Sequence, residues 1–348
     1  MEECVERFKI TLVVPSFDVP KFKGLAKVSK KLYEGLKKKA DVDVIEVHKK
    51  GKQYFKTFTV VPFKEATARS KIVHALTPES ASFLPLMKWK ASIVTWHDFI
   101  PLEEAERLRF KFRRLMRIYL NVMWRLASKC DVVIANSSQT AEQIKEYYGR
   151  DEDVYVINPG VDERFEPKVV EKDKPTLGFF ANYSFRKQVD KAIEVFKIVK
   201  KHMDCKLILA GGKLQTVYQR QFDVKKLVKG LKDVEIKGYI PESKVVELYN
   251  SFDVFLFPSV YEGFGLPILE AQACGIPVLI FKDAKIPEET RRFAIECEDV
   301  KDMAEKVINL LENEDEYLWY RKKGIEYARQ FTWDKYVEEH KKIYRWFE

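Results

Sequence analysis

The chain has 348 residues, 46% of them hydrophobic and 33% charged, which is long enough for two domains with full cores and reads as globular. No uncharged apolar run approaches a membrane span, and none after Met1 resembles a secretion signal, so a cytoplasmic protein is expected. Five scattered cysteines without a CxxC pair indicate neither a disulfide framework nor a zinc site, and the five histidines lack metal-ligand spacing. The net charge of +9 favours anionic partners such as nucleotide phosphates, anionic lipid or nucleic acid; a heavily solvated Lys/Glu surface would account for it equally well.

In chain order, predicted strands at Lys9–Val14, Val42–Val47, Ile72–Ala75, Ser92–Trp96 and Asp131–Ala135 alternate with helices near Leu25–Lys39, Glu79–Met87, Glu104–Lys129 and Gln139–Tyr148. The pattern repeats with strands at Thr176–Ala181, Cys205–Ala210, Val234–Lys237, Asp253–Phe257 and Val278–Phe281. Helices near Lys187–Lys201, Glu242–Asn250, Pro267–Cys274, Val300–Glu312 and Asp315–Gln330 separate or follow them. Such alternation argues for an α/β fold with parallel sheets and crossover helices. Pro159 and Gly160, followed by the charged stretch Pro167–Pro175, mark a boundary within Ile157–Phe165. The expected organisation is a first Rossmann-like domain over 1–160, a second over 161–330, and a terminal helix over 331–348 that could cross back to the first. Two doubly wound domains facing a central cleft are the simplest assembly, with ligands outside the carboxyl ends of the strands.

The most informative segment is Glu262-Gly-Phe-Gly-Leu-Pro-Ile-Leu-Glu270-Ala-Gln-Ala-Cys-Gly-Ile-Pro277. A glycine-flexible loop follows a strand and enters a helix whose first turn holds Pro267 and whose end is marked by Gly275. Free backbone N–H groups and the positive helix end make an anion site there. Glu262 and Glu270 bracket it and would repel phosphate, so the ligand should offer hydroxyls to the acids and phosphates to the amides, as a sugar nucleotide does.

Glu104–Lys129 is long and basic. Arg107, Arg109, Lys111, Arg113, Arg114, Arg117 and Arg125 interleave with Leu108, Phe110, Phe112, Leu115, Met116, Ile118, Tyr119, Leu120 and Trp124. Such a helix could lie on an anionic membrane surface, as a peripheral contact on the inner face, or could be a core helix with a solvated basic side.

Pro258-Ser-Val-Tyr-Glu-Gly-Phe-Gly-Leu-Pro-Ile-Leu-Glu270 resembles the E-x7-E signature of retaining GT4-family glycosyltransferases with the GT-B fold. Gly24, Trp96-His-Asp98, Asp131-Val-Val-Ile-Ala-Asn-Ser137, Val156-Ile-Asn-Pro-Gly-Val-Asp162, Arg186-Lys187, Leu207-Ile-Leu-Ala-Gly-Gly212 and Phe331-Thr-Trp333 agree in order and spacing. Three segments depart from the family pattern. Phe22-Lys-Gly24-Leu carries one glycine where relatives carry more, Ala181-Asn-Tyr-Ser184 lacks an arginine common in relatives, and the glycine-rich segment after the second glutamate's helix is shortened.

The resemblance implies that Lys187 neutralises the departing diphosphate, with Arg186 beside it. Both are expected to open a helix with the apolar face Val189, Ala192, Ile193, Phe196 and Val199. There they oppose the helix dipole by about 0.3–1 kcal/mol, a local cost that an arriving anion would explain. It also implies that Glu262 holds a hydroxyl of the transferred sugar, that Glu270 holds the ribose, and that Phe264, Gly265 and Leu266 give backbone N–H groups to sugar and phosphate. His97 would hydrogen-bond the donor sugar near the reacting carbon, with Asp98 orienting the ring. Gly24 belongs to a loop near donor phosphate and acceptor. Gly211 and Gly212 either admit the nucleotide closely or only make a tight turn. Tyr239 and Ile240 either border the base or belong to the core.

The expected reaction is retaining transfer of a hexose from a UDP- or GDP-linked sugar to a hydroxyl of a glycan or lipid-linked glycan. No cofactor or metal is expected, and domain closure would exclude water. A sugar-nucleotide epimerase and a catalytically silent nucleotide-sugar or glycan-binding subunit are the rivals. Nucleic-acid binding is not expected, since no recognised module occurs.

Overall fold

The computed structural model describes residues 8–15, 23–47, 68–105, 110–212 and 221–348. The chain divides into two compact units, Met1–Gly160 together with Trp333–Glu348, and Val161–Thr332.

In the first unit, β1 (Lys9–Val14), β2 (Asp41–Glu46), β3 (Ile72–Ala75), β4 (Ala91–Trp96), β5 (Val132–Ala135) and β6 (Val154–Val156) form one parallel sheet in the order β2-β1-β3-β4-β5-β6. Parallel strands covered on both faces read as unbroken apolar runs, and β3, β4 and β5 are buried along their whole length. Val13, Val73, Val94, Trp96, Phe99, Trp124 and Val133 sit in the core.

The helix Trp333–Arg345 packs on the helix Lys23–Lys37. A Cβ on Gly35 would come within 2.5 Å of the Val337 side chain, so the glycine is what lets these two helices meet. Tyr336, Val337, Ile343 and Tyr344 are buried. The Tyr344 hydroxyl lies 2.7 Å from His74 Nδ1, tying the helix to β3.

Two helix expectations in this unit need correction. Glu79–Met87 is not one helix but a short α-turn, Pro78–Ala81, and a 3-10 turn, Leu84–Leu86. Pro85 has no N–H to continue the ladder. The Asp98 carboxylate accepts from Ile100 N at 3.0 Å and starts a helix at Ile100–Ala105, earlier than expected, and a second helix spans Phe110–Ala127. Arg107, Leu108 and Arg109 lie outside the described residues.

The second unit carries β7 (Thr176–Phe180), β8 (Lys206–Ala210), β9 (Val234–Gly238), β10 (Val254–Leu256), β11 (Val278–Phe281) and β12 (Ile295–Cys297), all parallel, in the order β12-β11-β10-β7-β8-β9. That is the doubly wound order with its reversal between β7 and β10. One core around Phe196, Leu207 and Leu279 and another around Tyr249, Phe255 and Ile268 complete the unit. Among the described residues, no helix is long and apolar enough to cross a membrane.

Candidate active site

At the reversal, the chain leaving β7 goes one way across the sheet and the chain leaving β10 goes the other. Their departing loops, 181–188 and 257–265, therefore frame a crevice at the carboxyl edge of the sheet.

The first loop turns through Asn182, whose Oδ1 accepts from Ser184 N at 3.1 Å. A single 3-10 turn, Phe185–Lys187, follows, with Lys187 N bonded to Ser184 O at 3.0 Å. Gln188 is in the left-handed region (φ 47°), and only then does the helix Val189–His202 begin. The expectation that Arg186 and Lys187 open this helix is thus corrected. They close a 3-10 turn, and their side chains reach Tyr261 and Glu262 of the second loop. The predicted apolar face of the helix is buried as expected.

The second loop is stitched on both sides. Val260 N donates to Arg186 O (3.0 Å), Lys285 N to Val260 O (2.8 Å) and Glu262 N to Lys285 O (2.9 Å). Gly265, with φ +95°, caps the helix Leu266–Ala273, and Pro267 lies in its first turn. A Cβ at Gly265 would also approach Thr290 Oγ1 at 3.1 Å, while that hydroxyl donates to Phe264 O at 2.6 Å. Among the described residues, nothing accepts from the amides of Phe264, Gly265 or Leu266.

Between the loops sits a buried charge cluster. Glu262 Oε1 accepts from Lys187 Nζ and from Ser259 Oγ, and Arg186 Nη1 lies 3.3 Å away. The same Arg186 nitrogen donates to Tyr261 O. The Lys187 ammonium stands 4.9 Å from the centre of the Phe257 ring. Lys187 is 6% exposed and Glu262 7%. Burial alone would raise the Glu262 carboxyl, but Lys187, Arg186 and Ser259 outweigh it and hold the group below the ordinary carboxylate value. Glu270, 8% exposed, accepts a 3.1 Å hydrogen bond from the Tyr249 hydroxyl. Two buried polar atoms in the first loop, Ser184 Oγ and Arg186 Nε, have no hydrogen-bond partner. Unmet groups of this kind call for a ligand or water.

Gly211 and Gly212 follow β8 beside the first loop. Gly211 has φ +116°, its N–H donates to Gly238 O at 2.7 Å, and a Cβ there would fall 1.8 Å from Ala181 O. Gly212 faces open space. Tyr239 is largely exposed beyond β9, which removes the core reading for its ring, while Ile240 packs against the core around Tyr249. Lys187, Arg186, Glu262, Phe264, Gly265, Leu266, Glu270, Gly211, Gly212, Tyr239 and Ile240 all lie beyond the carboxyl ends of β7 to β10. Ser259, Tyr249 and Ser184 were not singled out from sequence. A hydroxyl three residues before Glu262 was a usable signal for the first, whereas Tyr249 shows itself only in three dimensions. A cavity of about 520 Å³ borders the site at Ser259 and Val260 but includes neither Lys187 nor Glu262.

His97 and Gly24 belong to the first unit. His97 Nε2 lies 3.0 Å from Leu76 O, so the ring donates there; a backbone carbonyl, in place of the expected Asp98, fixes its tautomer. Burial pushes the imidazole down to about 4, partly offset by that hydrogen bond. Gly24, expected before the first helix, is its second residue and is exposed; Phe22 lies outside the described residues. Among the described residues, no three His, Cys, Asp or Glu side chains are grouped to hold a metal ion.

A family model described as glycosyl transferases group 1 matches residues 160–331, and one described as Glycosyltransferase Family 4 matches 63–165. O-antigen chain mannosyltransferase B of Escherichia coli is 33% identical over 99 residues, 28% of this chain and 26% of that protein. Aligned stretches cover 56% and 59% of two further curated relatives, so the match spans about a quarter to three-fifths of their own length. Sucrose-phosphate synthase from Thermosynechococcus elongatus superposes with a TM-score of 0.77 at 18% identity, over 97% of this chain and 98% of that one. An Anabaena protein solved with UDP and glucose, HepE, superposes with a TM-score of 0.69 at 17% identity, over 97% of this chain and 100% of that one.

Proposed function

The chain belongs to the group 1 glycosyltransferases of GT4 type and has the GT-B fold, and we propose that it moves a hexose from a nucleoside diphosphate sugar, UDP- or GDP-linked, to an acceptor hydroxyl with retention at the anomeric carbon. One observation carries this reading. Two cations, a buried acid and a row of unbonded helix-start amides converge where β7 and β10 part.

The hard part of the reaction is charge building on the departing diphosphate. Lys187, Arg186 and the amides of Phe264, Gly265 and Leu266 would meet it, and a prearranged site does so without reorganising. The unmet Ser184 hydroxyl and Arg186 Nε would add two donors. Glu262 would hold a hydroxyl of the transferred sugar while keeping Lys187 in place. Glu270, steadied by Tyr249, would take the ribose hydroxyls. With Oε1 of Glu262 already shared among Lys187, Ser259 and Arg186, the acid is a poor nucleophile. A same-face displacement, in which the diphosphate accepts the acceptor's proton, fits that better, and no metal ion is invoked in it. The acceptor would be a glycan or a lipid-linked glycan, the latter reached from the cytoplasmic face of a membrane.

The test is a panel of UDP- and GDP-hexoses, with and without glycan acceptors, read by nucleoside diphosphate release and by the anomeric configuration of the product. Acceptor-dependent release with retention is expected. Release without any acceptor would favour an epimerase, and binding without turnover a silent subunit. Glu262→Ala should cut transfer far more than nucleotide binding; equal losses would place its contact on the nucleotide.

A further inference from the structure

A separate cavity, of about 310 Å³, opens on the second unit where the helix Glu314–Ala328 meets the segment joining the short helix Glu288–Arg291 to β12. Its walls are Arg292, Phe293, Lys323, Glu326, Tyr327 and Gln330, none of which belongs to the site between β7 and β10. The volume lies at the small end of the range that ligand pockets occupy. Phe293 has φ +60°, a left-handed conformation that a bulky side chain seldom holds, and it belongs to neither core of the unit. Backbone strain kept for a ring that the core does not use points to a function for that ring. The Phe293 ring stands edge-on to two others, Trp319 (6.0 Å, 66°) and Tyr327 (5.5 Å, 65°). Trp319 is 48% exposed, and the Tyr327 hydroxyl is pinned by donating to Glu289 O at 2.9 Å. The Arg292 guanidinium lies 5.8 Å from the centre of the Phe293 ring and 5.7 Å from that of Tyr327, and its backbone carbonyl is held by Gln272 Nε2 at 2.9 Å. Lys323 pairs with Glu326 at 3.2 Å, whereas Arg292 has no ion pair among the described residues. The pocket therefore carries one uncompensated positive charge.

Rings tilted at these angles form a corner and leave no parallel slot for a flat nucleobase, which binds by stacking on an aromatic face. A pyranose chair suits a corner better. Its C–H groups meet the negative ring faces, and its hydroxyls point outward to a polar rim. Lys323, Glu326 and Gln330 give that rim both donors and acceptors. The unpaired guanidinium matches a carboxylate, which it can hold by two parallel hydrogen bonds. From the strained ring, the tilted aromatic corner and the surplus charge, we infer that this pocket binds a pyranose bearing a carboxylate, as a unit of an acidic glycan. The sugar ring packs on Phe293 and Tyr327, and Arg292 holds the acid. The inference does not depend on the transfer reaction.

The experiment is calorimetric titration of the full chain, at physiological salt, with oligomers of galacturonate, glucuronate and mannuronate and with their neutral methyl esters, each in the presence and absence of UDP or GDP. At least one acid form should bind with Kd below about 1 mM and at least about tenfold tighter than its ester. Nucleotide should not displace it. Arg292→Gln should abolish the preference for acid over ester, and Phe293→Gly should weaken the acid form by at least about tenfold. Phe293→Gly relieves the left-handed strain and Arg292→Gln changes an exposed side chain, while thermal melting reports that each variant is folded; Arg292→Gln alone decides if Phe293→Gly is not. Failure of all three acid forms to bind, equal binding of acid and ester, displacement by UDP or GDP, parent-like binding by a folded variant, or equally tight binding of polyglutamate or RNA would each overturn the inference. Loss of glycan binding with nucleotide binding intact would leave the proposed transfer reaction standing, and absence of turnover would leave this pocket standing.

Discussion

Lys187 and Glu262 are 75 positions apart in the chain and share one buried ion pair. Each comes from a loop at the parting of β7 and β10, so the pair forms only when the central strands of the second sheet are in register. With Arg186 alongside, the cluster carries one surplus positive charge, so the buried acid is compensated and one cation is left over.

Lys187→Ala should lower turnover by about 10²–10³-fold, the usual loss for one well-placed charge donor. It should also cost about 3–5 kcal/mol of stability, because Glu262 keeps its burial and loses its closest cation. Combining Lys187→Met with Glu262→Gln separates the two effects. Melting temperature should recover while nucleotide release stays low. Turnover at the parent rate in Lys187→Ala would remove this residue from the proposed chemistry.

Tyr249→Phe deletes the hydroxyl that donates to Glu270 while keeping the ring among Phe165, Phe180, Phe252 and Phe255. A net hydrogen bond of about 1 kcal/mol is at stake, so donor KM should rise roughly fivefold with kcat little changed. A fall confined to kcat would mean that Glu270 acts on the reacting sugar.

The two glycines after β8 should respond differently. Gly211→Ala places a methyl group 1.8 Å from Ala181 O in a left-handed conformation and should destabilise the unit severely. Gly212→Ala meets nothing within 4 Å and should melt like the parent. If nucleotide affinity nonetheless drops in Gly212→Ala, the ligand passes close to this backbone; unchanged affinity would leave Gly212 as a turn residue only.

Acid should weaken the first unit through His340. Burial depresses its imidazole from 6.5 to about 4, partly opposed by the hydrogen bond to Tyr336 O. Between those two values the unfolded chain binds the extra proton, so stability is complete above about pH 6.5 and falls as pH drops toward 4. Each tenfold loss of proton affinity on folding is worth about 1.4 kcal/mol across that range. His74, also pushed down by burial, acts in the same direction. Melting curves between pH 7.5 and 4.5 should show a shallower decline for His340→Phe than for the parent. Identical slopes would show that another group carries the acid sensitivity.

The strands were largely legible because buried parallel strands advertise themselves as apolar runs. Lys9–Val14, Ile72–Ala75 and Val278–Phe281 match to the residue. Val154–Val156 escaped because its three residues are all partly exposed, and Ile295–Cys297 because Glu296 interrupts its two buried residues, so neither forms an apolar run. The loop from Glu262 into its helix was legible through Gly265 and Pro267, whose backbone preferences announce a cap and a first turn. The turn at Lys187 was not, because the left-handed residue that ends it is Gln188, a type that gives no such signal. Ser259, three residues before Glu262, was open to a local reading, but no local pattern could reveal that Tyr249 donates to Glu270, since that pairing spans two separate elements.

The helix at Trp333–Arg345 comes after the whole of Val161–Thr332 in the chain yet completes the packing around Gly35 and His74. During synthesis, then, the later unit has all its own sequence in hand while the earlier one still waits for its last piece. The packing of the earlier unit is therefore completed only after the later unit has been made. Until that helix arrives, the slot beside Val28–Leu36 stands open, which makes the nascent amino-terminal half, rather than Val161–Thr332, the part in need of shelter.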